Sequence, residues 1–411
     1  MELPVNRNEN QGIGVLEVPI VVATGRQGSA QSEHFKKAYF PGLNALRFFA
    51  AYLVLMHHSE TIRRKYGLFN FESLSLFRNG SLAVSFFFVL SGFLITYLLM
   101  EEIARTKTVS IRGFYVRRIL RIWPLYFFMV ILGLFVVPFL LQMLHYDQAL
   151  PYNPFTAFGM YFFFLSFLVN ALYGSHLLEP LWSIGVEEYF YLIWAPLMKY
   201  SKGSVLRMIV SVLVLKNLLL VAMLWVGAEK YPVAYDVLGS LKFELMATGG
   251  LGAYWVFKDR AAVGGHFLFG KPFQVLFLTV LVMRLCFHFA LVENGVQPYV
   301  ALFNTPLVSQ QLEGLLFLWL ILNTSVNEKT ILKLDKPVLN KLGEISYGLY
   351  VYQMVVIFGV ILLGKKVLLH LSPGVATLGY YVVVSGALIA VSWFSKRYME
   401  DWFLGMKKKW G

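Results

Sequence analysis

Apolar runs recur along almost the whole chain, separated by short polar and basic segments. A helix that crosses the hydrocarbon core of a membrane needs about 20 mostly apolar residues. Runs of that kind lie near residues 41–60, 80–100, 122–143, 181–198, 205–226, 236–257, 273–293, 302–323, 343–364 and 377–395. The pattern predicts an all-α, polytopic integral membrane protein with about ten transmembrane helices.

A further apolar run, residues 154–171, competes with these and contains the aromatic block 161–164. If this run does not cross and the N-terminus is inside, the inner segments hold 25 Lys and Arg residues and the outer loops hold 7. Cytoplasmic loops of membrane proteins carry such an excess of basic residues. We therefore predict ten spans in the cytoplasmic (inner) membrane, both termini in the cytoplasm, and a re-entrant or interfacial segment at 154–171.

Composition supports a membrane protein and argues against several other classes. Of the 411 residues, 58% are hydrophobic and 14% are charged, whereas soluble domains carry about 25% charged residues. The net charge of +13 comes mostly from basic residues between the apolar runs, so it does not indicate a nucleic-acid partner. Since Cys286 is the single cysteine and no Cys/His/Asp cluster has ligand spacing, we expect no intrachain disulfide and no metal.

The chain divides into three parts by polarity. Residues 1–38 are polar and mixed in charge and predict a disordered cytoplasmic tail. Residues 39–400 form one membrane domain without a soluble insertion, and residues 401–411 form a basic cytoplasmic tail.

Two ionisable residues of the first apolar run share one helix face. Arg47 and His58 are eleven positions apart, which returns to within about 20° of the same face with a rise of about 16 Å, so the two side chains cannot touch. Charge inside a bilayer is costly and usually has a functional or structural reason. Histidine is suited to proton transfer near neutral pH. The alternative is structural: Arg47 pairs with a carboxylate and His58 bonds to a neighbouring helix.

Adjacent carboxylates, Glu187 and Glu188, lie in the middle of the fourth run. They point about 100° apart on a helix, so at most one of them faces a given cavity. A buried glutamate can orient a histidine or accept hydrogen bonds from a sugar. The alternative is a structural ion pair with Arg47 or Arg284.

The densest basic cluster lies between the second and third runs and includes Arg117, Arg118 and Arg121. If the cluster begins the third helix, spacings of three and four place these guanidinium groups on one side. Arginine binds phosphate bidentately, and coenzyme A is a cytoplasmic compound with several phosphates. Anionic lipid is the alternative partner.

Five segments, in order, resemble the membrane-bound acyltransferase family 3. Residues 41–58 match its Arg-x(10)-His helix through Arg47 and His58, and residues 85–94 match its Phe-Phe-Val-Leu-Ser-Gly-Phe signature, which includes Ser91. Residues 117–124 match its Arg-x-x-Arg loop ending in proline, and residues 181–191 match its Leu-Trp-Ser-Leu-x-Val-Glu helix. Residues 345–353 match its Ile-Ser-Tyr-x-x-Tyr-x-x-His segment through Tyr347, but Gln353 stands where a histidine is usual.

The resemblance covers roughly residues 39–400 and implies a specific chemistry. It implies transfer of an acyl group, often acetyl, from acyl-CoA (acetyl-CoA) to a hydroxyl of a lipopolysaccharide, exopolysaccharide or glycoside. His58 would be the catalytic base and Arg47 its companion, and Arg118 with Arg121 would belong to the acyl-CoA site, together with Arg117 from the cluster.

Five further residues are site candidates with less defined roles. We expect Glu187 to orient or charge-stabilise the histidine, and Glu188, Tyr347 and Gln353 to lie at the substrate. Ser91 is a candidate at the same place, and its role as a covalent nucleophile is a minor alternative.

A rival interpretation is a secondary transporter or flippase for a glycan or lipid intermediate, in which the intramembrane Arg, His and Glu residues form a proton relay. Such transporters often contain an internal inverted repeat, and this sequence shows none. The identity of the acceptor and the oligomeric state do not follow from the sequence.

The predicted orientation can be tested by cysteine labelling in a Cys286→Ala background. Single cysteines introduced in 101–121 and in the C-terminal tail should react only from the cytoplasmic side, and Ser175→Cys only from the outside. Reaction of Ser175→Cys from the inside alone would contradict the ten-span arrangement.

Overall fold

A computed structural model describes residues 18–19, 37–146, 150–174, 176–201 and 203–406 of the chain. Within these ranges helices dominate, which confirms the all-α prediction. Two short strands, β1 (Val18–Pro19) and β2 (Lys37–Ala38), pair antiparallel, with Val18 opposite Ala38. Most of the predicted tail at 1–38, and residues 407–411, lie outside the described residues. The assignment of both tails to the cytoplasm stays a prediction.

The helices follow one another with short connections. In the first half they are α1 (Leu43–Lys65), α2 (Gly80–Thr106), α3 (Ile111–Ile131), α4 (Val137–Met143), α5 (Pro154–Phe162), α6 (Ser166–Tyr173), α7 (Leu181–Tyr200), α8 (Val205–Val226) and α9 (Pro232–Ser240). In the second half they are α10 (Phe243–Lys258), α11 (Arg260–Gly265), α12 (Lys271–Cys286), α13 (His288–Glu293), α14 (Tyr299–Phe303), α15 (Pro306–Ser325), α16 (Pro337–Glu344), α17 (Ser346–His370), α18 (Pro373–Ser395) and α19 (Asp401–Gly405). The π-helical turns Leu132–Val136 and Lys396–Glu400 join α3 to α4 and α18 to α19.

Several of these helices are long and apolar enough to cross a membrane. In the described ranges, five stretches meet that standard: Gly80–Thr106, Ile111–Met143, Val205–Val226, Ser346–His370 and Pro373–Gly405. The chain is an integral membrane protein, and the count of ten spans stays a prediction. Helices α1 and α7 are not among the five because the ionisable residues that make them site candidates also lower their hydropathy.

Some predicted runs are broken in the structure. The run 302–323 divides into α14 and α15, since Pro306 at the start of α15 disfavours helical backbone in the residue before it. The run 154–171 divides into α5 and α6, of 9 and 8 residues, around Phe164, whose φ is +58°. Neither half reaches the roughly 20 residues that a crossing helix needs.

Helices α2 and α10 form the closest helix pair of the core. A Cβ built at Gly92 would lie 1.9 Å from the carbonyl oxygen of Met246, and one built at Gly249 would lie 1.9 Å from the carbonyl oxygen of Val89. Small residues at such crossings let two backbones approach. This contact fixes α2 at the centre of the bundle and, with it, Ser91 beside Gly92.

A buried ion pair anchors the far end of α1. The first apolar run was predicted to end near residue 60, but α1 continues to Lys65. Arg63, in this extension, is only 2% exposed. Its guanidinium lies 2.7 Å from Glu60 and 2.7 Å from the hydroxyl of Thr377, and Tyr381 donates to Glu60. Mutual neutralisation and these hydrogen bonds make the burial of both charges tolerable.

The glycine contact between α2 and α10 predicts a position-specific loss of stability. Gly249→Ala should lower the free energy of unfolding in detergent by about 1–3 kcal/mol, because the added methyl group meets backbone atoms that cannot move aside. Gly359→Ala is the matched control, since nothing lies within 4 Å of its Cβ position in α17. Equal stability of the two variants, measured by chemical unfolding in the same micelles, would contradict the close helix approach.

Candidate active site

Five helices, α1, α2, α3, α7 and α17, enclose a cavity of about 140 Å³, here called the arginine cavity. Its polar lining residues are Arg47, Ser91, Arg118, Arg121, Ser183, Glu187, Tyr191, Ser346, Tyr347 and Tyr350. Six of these were predicted from the sequence: Arg47, Ser91, Arg118, Arg121, Glu187 and Tyr347. The tertiary structure therefore brings residues from five separate sequence motifs to one place.

The arginines of this cavity have no acidic partner. In the part of the chain that the structure describes, no carboxylate oxygen lies within 4.0 Å of the guanidinium groups of Arg47, Arg118 or Arg121. The guanidinium of Arg118 instead lies over the ring of Tyr191, 5.9 Å from its centroid, and its Nε is buried without a hydrogen-bond partner. Three cations share the cavity with the single carboxylate of Glu187. This excess of positive charge suits an anionic ligand.

Arg117 does not belong to this group, although we expected it to. Its guanidinium lies 2.8 Å from Glu102, and the other carboxylate oxygen of Glu102 accepts a hydrogen bond from the backbone N–H of Ser110. Ser110 also caps the start of α3 by accepting from the N–H of Gly113. The ion pair between Arg117 and Glu102 connects α3 to α2. Arg117 therefore does not line the cavity, whereas Arg118 and Arg121 do.

Glu187 forms a small hydrogen-bonded group with two hydroxyls. Tyr191, one turn later in α7, donates to Glu187 Oε2 at 2.7 Å. Ser91 Oγ lies 3.4 Å from the same oxygen and also bonds to the hydroxyl of Tyr191. Tyr191 was not among the predicted site residues, although its spacing of four from Glu187 is typical of two side chains that meet on one helix face.

The remaining substrate candidates occupy different surroundings. Tyr347 lines the cavity and donates to a backbone carbonyl of α3 at 2.9 Å. Glu188 points away and accepts from the indole N–H of Trp123 at 3.1 Å. Gln353 is fully buried outside the cavity; its amide donates to a backbone carbonyl one turn earlier, and its Oε1 has no partner.

His58 is buried, 8% exposed, but does not line the arginine cavity. The rise of about 16 Å along α1 accounts for its separation from Arg47. Across the described residues, the hydrogen bonds of Glu187 go to Tyr191 and Ser91 and none goes to His58. We predicted that Glu187 orients His58, but no hydrogen bond joins these two residues. His57 turns towards α2, where its ring packs on Gly80.

Other charges in the apolar interior have partners. Arg284 pairs with Glu313 at 2.7 Å, so it is not the partner of Glu187 that we had considered. Lys216 lies 3.9 Å from Glu244. The described residues contain no group of three or more His, Cys, Asp and Glu side chains that could hold a metal ion.

Comparison with known proteins agrees with this arrangement of motifs. Residues 40–397 match the family model described as an acyltransferase domain. The chain belongs to the acyltransferase 3 family. The resemblance to the membrane-bound acyltransferase family 3 is thereby confirmed, over nearly the range that the motifs indicated.

Named relatives of this family member are bacterial O-acetyltransferases. The peptidoglycan O-acetyltransferase OatA of Listeria monocytogenes is 26% identical over 338 residues, which are 80% of this chain and 51% of the relative. The putative peptidoglycan O-acetyltransferase YrhL of Bacillus subtilis is 30% identical over 264 residues, 61% of this chain and 39% of the relative. This chain thus spans about half the length of these relatives or less. No solved structure matches it.

The arginine cavity should bind a diphosphate. Purified protein titrated with inorganic pyrophosphate should lose at least about tenfold in affinity in the double variant Arg118→Ala/Arg121→Ala, since each lost charge-assisted hydrogen bond contributes about 1.5–3 kcal/mol. Lysine at both positions should restore little, because an ammonium group lacks the guanidinium fork.

Arg117→Ala is the matched control for this titration, because the same helix and residue type are involved but the side chain is held by Glu102. Its affinity should stay near that of the unaltered protein. Equal losses in the Arg117 variant and the double variant would show that general basic charge, and not the cavity, attracts the anion.

Proposed function

We propose that this protein is an integral membrane O-acyltransferase that moves an acyl group, acetyl in the simplest case, from acyl-CoA to a hydroxyl of a carbohydrate. The carrying observation is the cavity in which Arg47, Arg118 and Arg121 meet without acidic partners. Family membership supports the reaction class, and the names of the relatives support a glycan acceptor. The cytoplasmic membrane and cytoplasmic termini are part of the same proposal.

The arginine cavity supports acyl-CoA as the donor. Coenzyme A carries a diphosphate and a 3′-phosphate, and guanidinium groups bind phosphate oxygens in pairs. In an apolar surrounding these contacts gain strength, since water does not screen them.

His58 is the proposed general base. It takes the proton of the acceptor hydroxyl as that oxygen attacks the thioester carbonyl. The carbon–sulfur bond then breaks, and the thiolate of coenzyme A leaves with the proton that His58 returns. A donor whose phosphates bind near Arg47 must reach His58 about 16 Å further along α1, and the long pantetheine arm between phosphate and sulfur suits that separation.

Glu187 receives a different role from the one that we expected from the sequence. Its hydrogen bonds to Tyr191 and Ser91 fix two hydroxyls at the wall of the cavity. We assign to this group the orientation of the donor, and we assign no proton transfer to it. A covalent step at Ser91 remains the minor alternative.

Replacement of His58 by glutamine should abolish transfer and spare donor binding. Glutamine is close in size and keeps hydrogen bonding but cannot act as a base near neutral pH. Because general base catalysis supplies about 10²–10⁴-fold in rate, we expect a loss of that order in acetyl transfer from radiolabelled acetyl-CoA to a glycan. His57→Gln is the matched control, since that ring packs against α2 at Gly80, and it should be much milder.

The same assay separates this proposal from the transporter alternative. Transfer of label by purified protein in detergent, without two compartments, supports an acyltransferase. Near-normal transfer by His58→Gln would place the base elsewhere. No transfer by the unaltered protein, together with glycan movement across reconstituted vesicles, would favour the flippase.

A further inference from the structure

A second and larger cavity, of about 310 Å³, lies towards the other end of the helices that line the arginine cavity. Helix α1 contributes Arg47 to the first cavity and Ile62 and Lys65 to the second. Helix α17 contributes Tyr350 to the first and, one turn later, Met354 to the second. The α3–π–α4 stretch likewise lines both. The two cavities are therefore the two ends of one three-helix wall.

His58 lines neither cavity, but along α1 it lies between Arg47 of the first cavity and Ile62 of the second. It precedes Ile62 by four residues and Lys65 by seven, which are spacings that keep side chains on one helix face. It follows Arg47 on nearly the same face by eleven residues. A base at His58 can thus serve a donor that approaches from the arginine cavity and an acceptor that approaches from the second cavity.

Most of the residues that line the second cavity are apolar. Its apolar residues are Ile62, Val137, Pro138, Leu141, Leu150, Pro151, Leu177, Met354 and Phe358. Carbohydrate alone would leave such a surface uncovered, because sugars need hydrogen-bonding partners on several sides. An alkyl or isoprenoid chain matches this lining.

His176 supplies an unsatisfied polar atom in this cavity. The side chain is 7% exposed, its Nε2 lies 3.4 Å from the hydroxyl of Tyr161, and its Nδ1 is buried without a partner. A buried polar atom without a hydrogen bond is costly, and a ligand in the cavity would relieve that cost. Burial lowers the pKa of His176 to about 4, so its ring is neutral at neutral pH and can bond to a hydroxyl or a phosphate oxygen.

Two lysines add positive charge to the same cavity. Lys65 lines it with an exposed side chain, and Lys365 lies over the ring of Tyr66, a further lining residue, 5.3 Å from its centroid. The neighbouring Arg64 is instead occupied by Glu72 at 2.7 Å. No acidic residue lines this cavity among those that the structure describes. The charge therefore complements an anionic group placed where the hydrocarbon part of a ligand ends.

We propose that the second cavity binds the acceptor, and that the acceptor is an amphiphile in which a hydrocarbon chain is joined through phosphate to the carbohydrate. This rests on the acyltransferase function proposed above. The chain lies among the aliphatic residues, the phosphate lies near Lys65 and Lys365, and the first sugar lies between His176 and His58. The second cavity would thus select a membrane-anchored glycan over a free one.

Binding of simple probes tests this without any turnover. Protein in phosphatidylcholine nanodiscs is titrated with dodecyl phosphate, with dodecanol and with inorganic phosphate. We expect dodecyl phosphate to bind at least about tenfold more tightly than either part alone, since both the apolar lining and the lysines contribute.

Two pairs of variants locate the binding. Leu141→Trp, which fills the cavity, should weaken dodecyl phosphate binding at least about tenfold, whereas Leu140→Trp, on the exposed side of the same helix, should not. Lys65→Gln should weaken it in the same direction and Lys366→Gln, outside the cavity, should not. If Leu141→Trp does not fold, the comparison of Lys65→Gln with Lys366→Gln still tests the proposal. Both of these lysines are exposed, so their replacement should not disturb folding.

Two results would overturn the proposal. One is equal binding by Lys65→Gln and the unaltered protein. The other is competition by phosphatidic acid, added to the nanodisc, as strong as that by dodecyl phosphate, which would make the cavity a site for ordinary bilayer lipid.

Pyrophosphate binding should stay constant in all four variants. If the protein does not bind pyrophosphate but its binding of dodecyl phosphate still depends on Lys65, the assignment of the arginine cavity to the donor is wrong. The assignment of the second cavity to the acceptor is then still supported.

Discussion

Charge placed among apolar helices is the constraint on which this structure depends. An isolated charge in such surroundings costs several kcal/mol, so buried ionisable side chains are expected to occur with partners. Glu60 with Arg63, and Glu313 with Arg284, follow this rule and join α1 to its own next turn and α12 to α15. The Glu60–Arg63 pair also reaches Thr377 and Tyr381 in α18, and it anchors the helix that carries His58.

The arginine cavity does not follow the rule that buried charges occur with partners. Arg47, Arg118 and Arg121 come from α1 and α3 and meet beside one carboxylate that is already bonded to two hydroxyls. Three guanidinium groups beside one carboxylate leave an excess of positive charge, which costs stability in the free protein. A ligand that brings phosphate into the cavity would remove this cost, which is the physical reason for reading the cavity as a donor site.

The close backbone contact between α2 and α10 positions one wall of the arginine cavity. The reciprocal contacts of Gly92 and Gly249 hold α2 against α10 and present Ser91 to the cavity. The wall made by α1, α3 and α17 then continues to the second cavity, which has no arginine in its lining and contains the buried, unpartnered Nδ1 of His176. The proposal places two ligands of different chemistry on either side of one histidine, His58.

The sequence by itself determined the all-α membrane class, the family and most polar residues of the arginine cavity, because apolar run length and motif spacing are local properties. It also determined that Arg47 and His58 cannot touch, since helix rise depends only on residue number. Only the tertiary structure decided that Arg117 binds Glu102 and leaves the cavity, that Ser91 of α2 bonds to Glu187 of α7, and that Arg63 is buried. Those outcomes depend on which helix packs beside which. The same holds for His176 and the second cavity, because a lone histidine in a loop carries no signal until distant helices enclose it.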